Sequence, residues 1–255
     1  MKRIATAAVL LPAIVLVALA SPSWAFNTVI AAIGLAAFHE FDGIVAAHGI
    51  RRAGAPGMAA GIVLLFAPHP DLVVILIAIA AMILALVSRD LKDALPDAAA
   101  FLLGVIYIFG AFRSARGLRE INPHWLMVAL LVSWAGDTAA YYVGRAWGRH
   151  KLAPQISPAK TWEGAFGSVA GGILAAAIYT HYLIPSFPLW GAIAIAAGAN
   201  IAGQVGDLCE SAFKRGGGIK DSGTTLPGHG GWLDRIDSSL FSIPFVYAAL
   251  KFITP

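Results

Sequence analysis

Apolar residues fall in long blocks separated by short charged or Pro/Gly-bearing breaks, near 4–20, 25–38, 58–68, 71–88, 97–112, 124–143, 163–183, 188–206 and 236–252. Most of these blocks approach the roughly 20 residues that cross a hydrocarbon core as a helix. The pattern predicts an all-α fold, a polytopic integral membrane helical bundle of about nine transmembrane helices. The second and third blocks are short for a full crossing. One or both are therefore read as partial, tilted or extended by the amphipathic stretch from Phe38 to Ile50.

Composition agrees. Of the 255 residues, 58% are hydrophobic and only 13% charged, too few charges for long stretches to face water. One integrated domain over 1–255 is expected, with 1–130 as a lipid-embedded scaffold and 131–255 carrying catalytic helices and cytoplasmic loops. Lys2 and Arg3 precede an apolar run ending Ala18-Leu19-Ala20, which also fits a cleavable signal peptide. The length of that run and the immediate return to apolar sequence favour a retained first helix.

The net charge of +4 lies mainly between apolar blocks, where basic residues set topology and meet anionic headgroups, so nucleic acid is not an expected partner. With a cytoplasmic amino terminus the positive-inside rule is met by Arg51/Arg52, Arg89/Lys92, Arg145/Arg149/Lys151/Lys160 and Lys214/Arg215/Lys220. Arg113, Arg116 and Arg119 fall in a loop on the other side, read as a miscounted span or as charges serving packing or lipid contact. The small-residue run Gly167–Gly172 fits close helix packing in lipid. Cys209 is the single cysteine, so an intramolecular disulfide is impossible.

Nine of the 32 charged residues lie between Asp207 and Asp237. Continued past Asn200, the eighth helix places Gln204, Asp207, Ser211 and Lys214 at steps of three and four, with Glu210 beside them. Asp234, Asp237 and Ser238 repeat that spacing at the start of the ninth. An ionisable group facing lipid at mid-bilayer costs about 2.5–3.5 kcal/mol on insertion scales, so these faces should look into the bundle or the cytoplasmic interface. Two helix ends would then present carboxylates to one site. Carboxylates beside lysines and glycines suit hard divalent cations and polyphosphate, with magnesium as the natural ion and Asp207 and Asp234 as its ligands. Gly216–Gly218 and Gly228–Gly231 would let backbone amides approach phosphate oxygens. Asp137, Tyr141 and Arg145 form another polar helix face, and His39, Glu40 and Asp42 read as a polar face at the interface, with no metal expected there.

The run Ser211-Ala-Phe-Lys-Arg, four residues, then Lys220-Asp-Ser-Gly-Thr-Thr-Leu-Pro-Gly-His-Gly-Gly-Trp-Leu-Asp-Arg-Ile-Asp237 closely resembles the signature of the phosphatidate cytidylyltransferase family. The resemblance extends to Asp137–Tyr141 with Gly144-Arg145, and to Ser157–Gly164, covering roughly 134–240. Trp232 stands where an aliphatic residue or Met is usual, and Ala159 where a second lysine is common. The resemblance implies an all-helical enzyme of phospholipid biosynthesis that converts CTP and phosphatidate into CDP-diacylglycerol and pyrophosphate. It implies Lys214, Arg215, Lys220, Asp221, Arg235 and Asp237 as catalytic groups and Asp207 and Asp234 as metal ligands. Ser211, Gly217, Gly218, His229, Gly230, Gly231, Lys160 and Asp137 are the expected substrate-binding residues. Magnesium is the implied cofactor, with a monovalent cation such as potassium beside it, and a homodimer the implied assembly. The expected setting is a bacterial plasma membrane, with the site facing the cytoplasm. A related CTP-dependent transferase acting on another lipid phosphate or a polyprenol, and a transporter with intramembrane acids, are the alternatives.

Overall fold

The structure, a computed structural model, describes residues 2–88, 90–225 and 230–253, and side chains from residue 11 onward. His229, Gly228 and Arg89 lie outside the described residues. The elements are α1 (Lys2–Leu19), α2 (Ser23–Ala47), α3 (Gly54–Phe66), α4 (Pro70–Ala85), α5 (Ala94–Gly104), a π-helical stretch (Val105–Gly110), α6 (Ala111–Ile121), α7 (Pro123–Trp147), a hairpin of β1 (Lys151–Ala153) and β2 (Ser157–Thr161), α8 (Trp162–Leu183), α9 (Leu189–Gly216), α10 (Leu233–Ile236) and α11 (Ser239–Ile253).

Each of the nine apolar blocks lies on a helix. Among the described residues, five helical segments are long and apolar enough to cross a membrane: Ser23–Ala47, Leu91–Ile121, Pro123–Trp147, Trp162–Leu183 and Leu189–Gly216. Gly54–Phe66, Pro70–Ala85 and Ser239–Ile253 are shorter apolar helices. The second block does run on through the amphipathic stretch to Ala47. The chain is a polytopic helical membrane protein.

Two compact units emerge, each assembled from separate stretches of chain. One comprises Met1–Leu11, Pro22–Arg113 and Phe213–Ile236. Its core is aromatic, built on Phe38, Phe41, Phe101 and Phe109 with Ile44, Leu65 and Leu233. Phe109, placed by the π-helical stretch, lies so close to Gly61 that a Cβ there would meet its ring at 2.1 Å. Buried Asp42 accepts from the amides of Ala53 (3.0 Å) and Gly54 (2.7 Å) and so starts α3. Arg113 donates to the carbonyls of Leu64 (3.0 Å) and Leu65 (3.4 Å) and finishes that helix.

The second unit comprises Pro12–Ser21, Ser114–Ala212 and Asp237–Pro255. Here α7 and α8 approach through small residues, as expected of the Gly167–Gly172 run. A Cβ on Gly167 would meet Val143 at 2.7 Å, and one on Gly171 would meet Ala139 at 2.5 Å. Buried Asn200 of α9 donates to Val132 O of α7 (3.2 Å) and Ser168 Oγ of α8 (3.1 Å), tying three helices with one amide.

The arginine "loop" is a helix. Arg113, Arg116 and Arg119 lie on α6, and Arg119 donates to the carbonyls of Ala18 (3.1 Å) and Ser21. The charges of Arg113 and Arg119 serve packing, because a guanidinium offers five donors to carbonyls that helix ends leave unpaired, while Arg116 pairs with Glu120 one turn on at 3.0 Å. The short hairpin was not expected either; it pairs Lys151 with Thr161 and Ala153 with Ser157.

Candidate active site

The second unit holds a cavity of about 350 Å³ whose polar lining includes Asp137, Tyr141, Arg145, Lys160, Gln204 and Asp207. Local chemistry explains its walls. Thr161 accepts from Gly164 N at 3.2 Å and caps α8. Glu163, in the first turn of α8, accepts from Arg149 N (3.2 Å) and from His150 Nδ1 (2.6 Å), so the chain entering the hairpin is tied to the helix start. That places Lys160, one residue before the cap, with its ammonium 2.6 Å from Asp207 Oδ2. Ser211 Oγ donates to the other oxygen of Asp207 at 3.3 Å. Arg145 donates to the Tyr141 hydroxyl at 2.9 Å, one turn away. Of the expected residues, Asp137, Lys160 and Asp207 therefore share one cavity wall.

Asp237 belongs to the same unit. Glu210 nearby is buried, and Asp237 accepts from Ser238 N at 2.7 Å. Burial pushes its carboxyl well above the usual range, and the like charges of Asp207 and Glu210 push the same way. Two further acids thus act on one buried carboxyl.

In the first unit Lys214 Nζ lies 2.6 Å from Asp234 Oδ1, with both side chains more than nine-tenths buried. Asp234 also accepts from Ser222 N (3.0 Å) and Gly231 N (2.8 Å). Burial alone would raise this carboxyl, but the Lys214 hydrogen bond, the two amides and the nearby positive charge outweigh it and hold the group below its ordinary value. Gly230 adopts φ 77°, and a Cβ on it would meet Asp234 Oδ2 at 2.6 Å. Gly230 and Gly231 are thus spent on bringing backbone to the Asp234 carboxylate.

Gly217 and Gly218 serve the end of α9. Ile219 N donates to Lys214 O (2.9 Å) and Gly218 N to Arg215 O (3.0 Å), with Gly218 at φ 71°. This is the left-handed helix stop that glycine favours. Arg215, Lys220, Asp221 and Arg235 are exposed, and Arg215 donates to Ile219 O at 3.1 Å. Asp207 belongs to one unit and Asp234 to the other, each held by its own lysine.

Glu40 was missed as a site residue. Its reading as part of an interfacial polar face fails because it is only 4% exposed and its carboxylate accepts from Ser222 Oγ (2.9 Å), Thr225 Oγ1 (2.5 Å), Trp232 N (3.1 Å) and Leu233 N (2.9 Å). The signal was present: an acid within a long apolar helix is by default a functional candidate.

The donors available to a cation are hard carboxylate oxygens. Among the described residues, no three His, Cys, Asp or Glu side chains form a group that would hold a metal ion. One or two carboxylates, with substrate phosphates and water supplying the rest, is how magnesium is usually held, so the residues fit that ion.

The chain matches the family described as "Cytidylyltransferase family" over residues 1–253. It is 41% identical over 150 residues to the phosphatidate cytidylyltransferase of Staphylococcus haemolyticus (strain JCSC1435), the aligned stretch covering 59% of this chain and 58% of that protein. The same figures hold for the phosphatidate cytidylyltransferase of Staphylococcus epidermidis (strain ATCC 12228 / FDA PCI 1200), and that of Staphylococcus aureus (strain COL) is 39% identical over the same coverage. The chain thus spans 58% of the length of these curated relatives. With the match running from its first residue to residue 253, this chain belongs to the cytidylyltransferase family.

Proposed function

We propose that the chain transfers the cytidylyl group of CTP to the phosphate of phosphatidate, giving CDP-diacylglycerol and pyrophosphate at the cytoplasmic face of a bacterial plasma membrane. Beyond family membership, the observation that carries this reading is the pairing of the two aspartates expected to bind the metal with lysines: Lys160 with Asp207 and Lys214 with Asp234, each at 2.6 Å. Such pairs keep ammonium groups ready for phosphate oxygens while neutralising them until substrate arrives.

In the reaction, an ionised oxygen of the lipid phosphate attacks the α-phosphorus of CTP. A new P–O bond forms, the bond from the α-phosphorus to the bridging oxygen breaks, and pyrophosphate leaves with that electron pair. The acceptor is a phosphate monoester already ionised near neutral pH, so no general base is required. Catalysis then rests on alignment and charge neutralisation. Lys160 and Lys214 would bind phosphate oxygens, and exposed Arg215, Lys220 and Arg235 would gather the polyphosphate at the surface. Asp207 and Asp234 would each offer a carboxylate to magnesium, which when bound supplies further positive charge to the nucleotide phosphates.

Purified protein in detergent, given CTP and magnesium, tests this with an acceptor panel. Pyrophosphate release is expected with phosphatidate and absent with a chelator. Release with a polyprenol or an ether-lipid phosphate but not with phosphatidate would reassign the acceptor.

A further inference from the structure

We infer that Glu40 is a positioning residue for this transfer, its carboxylate clamping residues 222–225 and 231–233 so that backbone amides hold Asp234 against Lys214. The inference rests on the function proposed above and adds to it a residue from α2, outside the signature.

Two carboxylates grip the same two short stretches of chain, 222–225 and 231–233. Ser222 gives its hydroxyl to Glu40 and its amide to Asp234. Gly231 gives its amide to Asp234, and the next two amides, of Trp232 and Leu233, go to Glu40. Thr225 Oγ1 supplies Glu40's fourth donor at 2.5 Å. Four donors fill the acceptor sites of a carboxylate, so nothing else in reach can share them. The backbone is pressed close on both sides: a Cβ on Gly231 would meet Glu40 Oε2 at 2.2 Å and Ser222 Oγ at 2.3 Å, and one on Gly223 would meet Glu40 Oε1 at 2.8 Å. Any movement of the Glu40 carboxylate therefore moves the amides on which Asp234 rests. A glutamine there keeps the shape but offers one acceptor oxygen, and turns its NH₂ toward one hydroxyl that can accept and one backbone amide, of Trp232 or Leu233, that cannot.

The test compares Glu40→Gln with the wild-type protein in detergent by amide hydrogen exchange and steady-state kinetics. Amides of 231–234 should exchange about tenfold faster or more, as loss of hydrogen bonds to a charged group requires, with α7 and α8 unchanged. The kcat should fall about 10²-fold, the scale of a small misplacement of reacting groups, while KM for CTP stays within about threefold. Faster exchange with wild-type kcat would overturn the positioning role. So would a fall in kcat with unchanged exchange. If Glu40→Gln does not fold, the Ser222→Ala/Thr225→Ala double variant removes two donors and leaves Glu40 in place; an unchanged kcat there also overturns the inference. Wild-type protein that transfers nothing defeats the proposed function instead, and the exchange comparison still decides whether Glu40 holds the segment.

Discussion

At the scale of single residues, the Lys214–Asp234 pair is the most constrained feature of the signature, because both groups leave water and the aspartate must satisfy an ammonium and two amides at once. Removing one partner of such a pair strands the other, which costs more than the pair contributes. Asp234→Asn is expected to lower stability by about 1–3 kcal/mol, the scale of hydrogen bonds to a charged group, and turnover by about 10²-fold or more. Thermal melts and kinetics of the same preparation check both. The sign with pH follows from the depressed carboxyl. Its stabilisation is complete above the ordinary value of 3.8 and is lost as pH falls from there through the lower folded value. The acid limb of the Tm–pH curve should therefore be flatter in Asp234→Asn than in wild type, and parallel limbs would contradict the assignment.

At the scale of elements, helix crossings depend on missing side chains. A Cβ on Gly136 of α7 would meet Asn200 Nδ2 at 2.3 Å and Ser168 Oγ at 2.7 Å, at the point where Asn200 ties α7, α8 and α9. Gly136→Ala should destabilise by about 1–3 kcal/mol through overpacking, seen as a lower melting temperature in detergent. An unchanged melting temperature would mean that the helices part without loss. Helices were legible in the sequence because lipid demands blocks of Leu, Ile, Val and Ala, and the signature residues were legible because charge is rare in such a chain. What escaped detection depends on partners far away along the chain. Glu40 binds donors 182–193 residues distant, and Arg119 reaches a carbonyl 101 residues back, so no local pattern marks either as a clamp or a cap. The hairpin escaped because Ser157–Thr161 carries a proline and no alternation, which demotes a strand by pattern.

At the scale of the whole molecule, the proposed cytoplasmic face rests on basic residues flanking the spans, several of them around the β1–β2 hairpin. In a Cys209→Ser background, Gln155→Cys in the exposed hairpin turn should react with a membrane-impermeant maleimide only from the cytoplasmic side; labelling from outside intact cells would invert the topology. The central claim, that this chain moves a cytidylyl group onto a lipid phosphate, is tested most directly by following two labels. CTP labelled at the α-phosphate should pass its label to the organic phase when phosphatidate and magnesium are present, while label at the γ-phosphate stays in water as pyrophosphate. Folded protein that leaves both labels in the aqueous phase, or carries the γ label into lipid, would contradict the account.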